Sequence, residues 1–204
     1  MQLRVVNLGI DGLAPVTLSV NAGECVSIEG ASGSGKTRLL RAIADLDPHT
    51  GEIYLGDVAC ESISAPAWRR QVALLPAEIV WWKETAREHL PDGREAPTAA
   101  LHLDAAILQQ PLSELSTGQR QRLALLRLLQ NTPQVLLLDE PTAALDPDNV
   151  QRAESFIEDY RKRNKTPVLW IGHDREQLRR VASRHFAIRE GVLSQVSIPA
   201  GVDQ

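Results

Sequence analysis

The sequence predicts an α/β fold: a mostly parallel central sheet, an antiparallel β subdomain at the N-terminus and a small, mostly helical lobe inserted between them and the C-terminal half. Three observations lead there. Through the second half, short β-prone runs alternate with amphipathic helical stretches, the order that parallel strands with crossover helices require. The first third reads as short strands set off by Gly9, Asp11-Gly12 and Asn21-Ala22-Gly23. Between Glu84 and Gln110, helix-forming residues are interrupted by Pro91-Asp92-Gly93 and Pro97, which marks off a lobe with limits near Ala77 and Glu114. The 204 residues then form one domain, with a core from 1–76 and 115–204 and the lobe at 77–114.

The elements follow in order. Leu3 to Asn7, Thr17 to Val20 and Cys25 to Glu29 are strands. Lys36 to Ala44 is a helix, because Leu39, Leu40 and Ile43 recur at helical spacing among charged residues, and Asp47-Pro48 ends it. Ile53 to Leu55 and Val72 to Leu75 are strands. Gly118 to Asn131 is a helix with Leu123, Leu126 and Leu129 on one face, and Val135 to Leu138 is an apolar run suited to a strand covered on both sides. A helix from Asp148 to Lys162, the strand Val168 to Ile171, a helix from Asp174 to Ala182 and a hairpin through Glu190-Gly191 complete the chain.

Composition narrows the function. With 43% hydrophobic and 24% charged residues and a net charge of −4, the chain reads as a soluble globular protein. The acidic balance gives no general reason to approach nucleic acid, and the basic run Arg161 to Lys165 reads as solvated charge at a helix end. No stretch approaches the roughly 18 apolar residues that span a bilayer, and Met1 to Asn21 has neither a basic head nor a cleavage site, so a cytoplasmic location is expected. Cys25 and Cys60 lack metal-ligand spacing and read as buried thiols.

Gly30-Ala31-Ser32-Gly33-Ser34-Gly35-Lys36-Thr37 matches the phosphate-loop pattern G-x-x-x-x-G-K-[ST] between a strand and a helix. Consecutive backbone N–H groups wrap an anion there, and the helix aims its positive end at the phosphates. Lys36 would bridge β- and γ-phosphate oxygens, and the Thr37 hydroxyl would ligate Mg²⁺. The fold class is then that of a P-loop NTPase. Downstream, Val135 to Leu138 delivers Asp139-Glu140 to the carboxyl edge of the sheet, where open α/β folds bind ligands. Asp139 suits holding the metal and Glu140 suits orienting and deprotonating the attacking water.

Leu115-Ser116-Thr117-Gly118-Gln119 precedes the long helix. Alone it is equally a helix-capping box, Ser116 with Gln119 three residues on. In this order of motifs it resembles the LSGGQ signature of the ABC-family ATPases. Ala143-Ala144-Leu145-Asp146 resembles that family's D-loop, and Ile171-Gly172-His173-Asp174 its switch histidine. The resemblance covers nearly the whole chain. It implies that two copies stack head to tail as a homodimer, sandwiching ATP between the P-loop of one and the signature of the other. Ser116, Gly118 and Gln119 would grip the γ-phosphate of the partner's nucleotide, His173 would stabilise charge there, and Asp146 would connect the two sites. It also implies an integral membrane subunit on a separate chain, with this chain peripheral to the inner membrane face.

The chain departs from the family pattern in several places. Where the family usually places glutamine, it has Leu75-Pro76-Ala77-Glu78; either Glu78 substitutes, water fills the position, or coupling is weakened. No Phe, Tyr or Trp precedes Tyr54 to stack on adenine, so Ile10 or Leu13 is expected to supply an apolar wall with poor base selectivity. Thr117 replaces a signature glycine, and the lobe is short. Ile79-Val80-Trp81-Trp82 reads either as an anchor for the membrane subunit or as packing at the base of the lobe. The stretches Leu125 to Gln130 and Val168 to Asp174 are similar to compact bacterial subunits associated with iron or metal export. The alternatives are a soluble ABC ATPase acting on ribosomes, DNA or protein assemblies, and a non-hydrolysing regulator.

Overall fold

The computed structural model describes residues 1–91 and 96–197. The predicted break at Asp92-Gly93 lies outside the described residues. In chain order the elements are β1 (Leu3–Ile10), β2 (Leu13–Val20), β3 (Cys25–Gly30), α1 (Lys36–Ile43), β4 (Thr50–Leu55), β5 (Val58–Ala59), α2 (Ala65–Gln71), β6 (Val72–Leu75), α3 (Thr117–Gln130), β7 (Val135–Asp139), α4 (Pro147–Asn164), β8 (Val168–Ile171), α5 (Arg175–Val181), β9 (Arg184–Arg189) and β10 (Val192–Val196). An antiparallel sheet has the order β2-β1-β4-β5, and a larger sheet the order β10-β9-β3-β8-β7-β6. In the larger sheet β9, β3, β8, β7 and β6 run parallel and β10 is antiparallel to β9.

Strand β7 shows how sequence fixes the site. Val135 and Leu137 pack with α1, α2 and the antiparallel sheet through Leu39, Leu40, Ile43 and Trp68. Leu136 and Leu138 pack on the opposite face with Leu123 and Leu126 of α3, Ile157 of α4 and Leu178 of α5. Each such burial contributes about 1.5–3 kcal/mol. A slip of one residue would send every side chain to the wrong core, so the register that places Asp139 at the strand's carboxyl end is strongly specified.

Helix α2 lies outside the sequence expectations. Its anchor is Trp68, fully buried, whose indole N–H donates to the Ile43 carbonyl at 3.0 Å. Among the described residues the inserted segment holds single 3-10 turns, at 87–89, 98–101, 105–109 and 112–114, rather than α-helices. Pro91 and Pro111 follow the turns at 87–89 and 105–109 closely and withhold backbone donors there, while His102, in the left-handed region, ends the turn at 98–101. Apolar side chains hold it instead: Leu101, Leu103, Ile107 and Leu112 share the core of α3 and α4. A bridge between Thr85 and Pro111 closes its base. Both cysteines are buried, as their context predicts, and burial pushes the thiols up to about 12 for Cys25 and about 11 for Cys60.

Candidate functional site

The loop between β3 and α1 carries the predicted phosphate pattern. Gly35 occupies the N-cap of α1 with a φ of 101°, a conformation that favours glycine, and a side chain there would begin 3.1 Å from the Leu13 side chain. Lys36 is buried, and its ammonium donates to the carbonyls of Gly30 at 2.8 Å and Ala31 at 3.0 Å. The lysine thus arches back over its own loop, and its charge sits where the loop closes. Ser34 Oγ is buried with no hydrogen-bond partner among the described residues. A buried unpaired hydroxyl costs stability unless a ligand completes it, and an anion's oxygens would do so here. A cavity of about 420 Å³ adjoins the loop, bounded by Gly30, Ala31, Ser34, His173 and Arg175.

The carboxylates of β7 lie against this loop. The Thr37 hydroxyl donates to Asp139 Oδ2 at 2.6 Å. Asp139 is 2% exposed, and burial holds its carboxyl above the usual range, with the Thr37 hydrogen bond opposing. The buried carboxylate is only partly compensated, and with Thr37 it offers hard oxygen donors at one spot, the chemistry a magnesium-type cation takes.

Glu140 follows in the left-handed region at φ 50°, its N–H donating to the Ile171 carbonyl at 3.0 Å. This backbone kink is sparsely populated for a non-glycine residue, and it turns the second carboxylate out of the strand. Glu140 Oε1 accepts from His173 Nε2 at 2.9 Å; an ionised carboxylate only accepts, so Nε2 carries the proton. Two further contacts brace this edge and were not foreseen from sequence. Arg175 binds Glu29 through two hydrogen bonds of 3.1 Å, and Gln177 links Thr142 to Glu154. Neither pair stands in a motif, and no periodicity signals pairs 146 and 35 residues apart.

The remaining predicted residues form a second group. Ser116 and Gln119 make a complete capping box at the start of α3: Ser116 Oγ accepts from the Gln119 N–H at 3.2 Å, and Gln119 Oε1 from the Ser116 N–H at 2.8 Å. The capping reading therefore holds, and it leaves the Ser116 hydroxyl free to donate. A side chain at Gly118 would begin 3.1 Å from the Ala144 carbonyl, so glycine lets the loop 143–145 close on the helix. Asp146 caps α4, accepting from the N–H and side-chain amide of Asn149 at 3.0 and 2.7 Å. These bonds hold its carboxyl below the usual range. Among the described residues no hydrogen bond or ion pair joins Ser116, Gly118, Gln119 or Asp146 to the phosphate loop or to Glu140.

Ala77 and Glu78 are both exposed. The stretch after them is held by α3: the Arg127 guanidinium lies 4.3 Å from the Trp81 ring and 5.1 Å from the Trp82 ring, and donates to the Val80 carbonyl at 3.1 Å. His89 packs edge-on against both rings. Its Nε2 faces the N–H groups of Trp82 and Lys83, so it accepts, and Nδ1 donates to the Thr85 carbonyl. Trp81 packs at the base of the lobe, while Val80 and Trp82 remain 62% and 68% exposed.

The family model described as "ABC transporter" matches residues 13–143, well over half the chain. Protein STAR1 of Oryza sativa subsp. japonica is 35% identical over 96% of this chain and 60% of its own length. ABC transporter I family member 17 of Arabidopsis thaliana is 31% identical over 97% of this chain and 80% of its own. The probable iron export ATP-binding protein FetA of Escherichia coli (strain K12) is 32% identical over 80% of this chain and 78% of its own. The chain thus spans less than two thirds of the rice protein. A solved structure titled "Structure of ATP binding subunit of ABC transporter" superposes with a TM-score of 0.86 at 22% identity, covering 97% of this chain and 90% of its own, which carries the fold. The phosphate loop with its lysine, the paired carboxylates and the matched family model lead to one conclusion: the chain belongs to the ABC transporter family, as an ATPase domain.

Proposed function

We propose that this chain binds Mg²⁺·ATP, hydrolyses it between two copies of itself, and thereby drives a membrane-spanning partner on a separate polypeptide. The observation that carries the chemistry is the Glu140–His173 contact at the mouth of the phosphate loop. Glu140 would take a proton from the water that attacks the γ-phosphorus, as the bond to the β-phosphate oxygen breaks to release ADP and phosphate. His173 holds the accepting carboxylate in place and would turn its Nε2 proton to the developing charge only when that contact gives way to the bound phosphate. Lys36 neutralises the phosphates, and Thr37 and Asp139 would hold Mg²⁺, which supplies charge stabilisation when bound.

The dimer reading rests on the separation of the site into two groups. Ser116 and Gly118 sit at a helix N-terminus, a ready anion site, yet they make no polar contact with their own chain's phosphate loop. A second copy, turned head to tail, would bring that helix to the γ-phosphate. Loss of the γ-phosphate removes the attraction and opens the pair. Among the described residues no helix is long and apolar enough to cross a membrane, and exposed Val80 and Trp82 provide an apolar contact for a membrane subunit, with the chain peripheral to the inner face. The relatives' names include both iron export and sulfate/thiosulfate import, which fits a shared engine whose cargo is chosen by the partner. Steady-state phosphate release tests the reading: Glu140→Gln lowers turnover about 10²–10⁴-fold, whereas a wild-type rate removes Glu140 from the chemistry.

A further inference from the structure

We infer that Arg38 takes the place of an aromatic side chain as the platform on which the nucleotide base stacks. The inference rests on the nucleotide-binding reading above and extends it to the base end of the ligand. Strand order fixes which end that is. β3, which leads into the phosphate loop, lies between β8 and β9. On the β8 side stand the groups of the γ-phosphate, Asp139, Glu140 and His173. On the β9 side the hairpin turn Glu190-Gly191 meets the β1–β2 turn, with the Ala14 N–H donating to the Gly191 carbonyl at 2.7 Å. The nucleoside end of a triphosphate whose γ-phosphate faces Glu140 therefore points toward the β1–β2 turn.

That turn offers no ring, and Leu13 is already spent against Gly35 and 9% exposed. Arg38 lies one turn into the same approach. It is exposed at the start of α1, and its Nη1 lies 3.5 Å from the point where a side chain at Gly12 would begin. That is ordinary contact distance, so the guanidinium lies beside the turn. Its charge acts on the Asp47 carboxylate, but among the described residues no hydrogen bond ties the exposed guanidinium, so its planar face stays open to a ligand. Guanidinium planes stack on aromatic rings and on bases, and this contact is tolerant of base identity because every base presents a π-face.

Equilibrium binding of ATP, GTP and inorganic tripolyphosphate to the full chain, by calorimetry with Mg²⁺, tests this. The wild-type chain is expected to bind ATP and GTP within about threefold of one another. Arg38→Ala should weaken both nucleotides about tenfold and leave tripolyphosphate unchanged; Arg38→Tyr should restore nucleotide affinity and Arg38→Lys should not. Equal loss of tripolyphosphate affinity would make Arg38 a phosphate ligand and overturn the stacking role, as would unchanged ATP binding in Arg38→Ala. If the wild-type chain binds neither ATP nor tripolyphosphate, the phosphate loop itself fails, a result distinct from failure at Arg38.

Discussion

Glu140 and His173, 33 residues apart in the chain, meet at 2.9 Å between Oε1 and Nε2. Each stands at the end of a parallel strand, β7 or β8, and the pairing of Asp139 with Ile171 sets the two side by side. Under the proposed function this contact would make His173 a positioning residue for the base. We expect His173→Ala to lower kcat about 100-fold with less than threefold change in ATP affinity. A matching loss of affinity in a binding titration would show that His173 serves binding instead.

Asp139 is destabilising as a charge in the free protein. Its folded-state pKa lies above its unfolded value, so protonation favours the fold, and stability contributed by this group rises as pH falls through the folded pKa. Asp139→Asn should therefore raise the melting temperature of the nucleotide-free protein by about 3 °C, the shift that roughly 1 kcal/mol produces at this size. It should also abolish the gain in ATP affinity on adding Mg²⁺. A lower melting temperature would contradict the burial argument.

Ser116 has two roles that substitutions can separate. Ser116→Ala deletes the cap on the Gln119 N–H and should cost about 1 kcal/mol of stability, read from urea unfolding. Ser116→Asp keeps an acceptor there, so stability is retained, but it sets a negative charge where the partner's γ-phosphate would arrive. ATP-dependent association should then disappear. Unimpaired association in Ser116→Asp would place the signature away from the nucleotide.

Arg127 fastens the Trp81-Trp82 segment to α3. Burial lowers its pKa, though it remains charged. Arg127→Ala should leave basal ATPase activity within about twofold, since no catalytic group contacts it, and should red-shift tryptophan emission as the rings loosen. Co-purification with the proposed membrane-spanning partner should fall. Retained co-purification would confine Arg127 to packing.

Elements whose residues repeat at one period were legible in the sequence. β6 and β8 match their predicted bounds, the loop 30–37 joins a strand to a helix as predicted, and Asp139-Glu140 and His173 lie at the carboxyl ends of β7 and β8. α2 was not legible because Pro66 and the lone apolar anchor Trp68 give no helical repeat across seven residues. The inserted lobe has helix-forming composition, yet prolines and the left-handed His102 break its described residues into single turns, a local veto that summed propensity does not register. The capping box and the signature occupy the same residues, so the fold tests only the first. Contacts such as Arg175–Glu29 and Arg127–Trp81 depend on distant pairs for which a single sequence carries no pattern.

If two copies share each nucleotide, as the proposed function requires, sedimentation velocity of Glu140→Gln shows it directly. With ATP and Mg²⁺ the variant should sediment as a dimer, and with ADP as a monomer. A monomer at saturating ATP, with nucleotide shown to be bound, would contradict it.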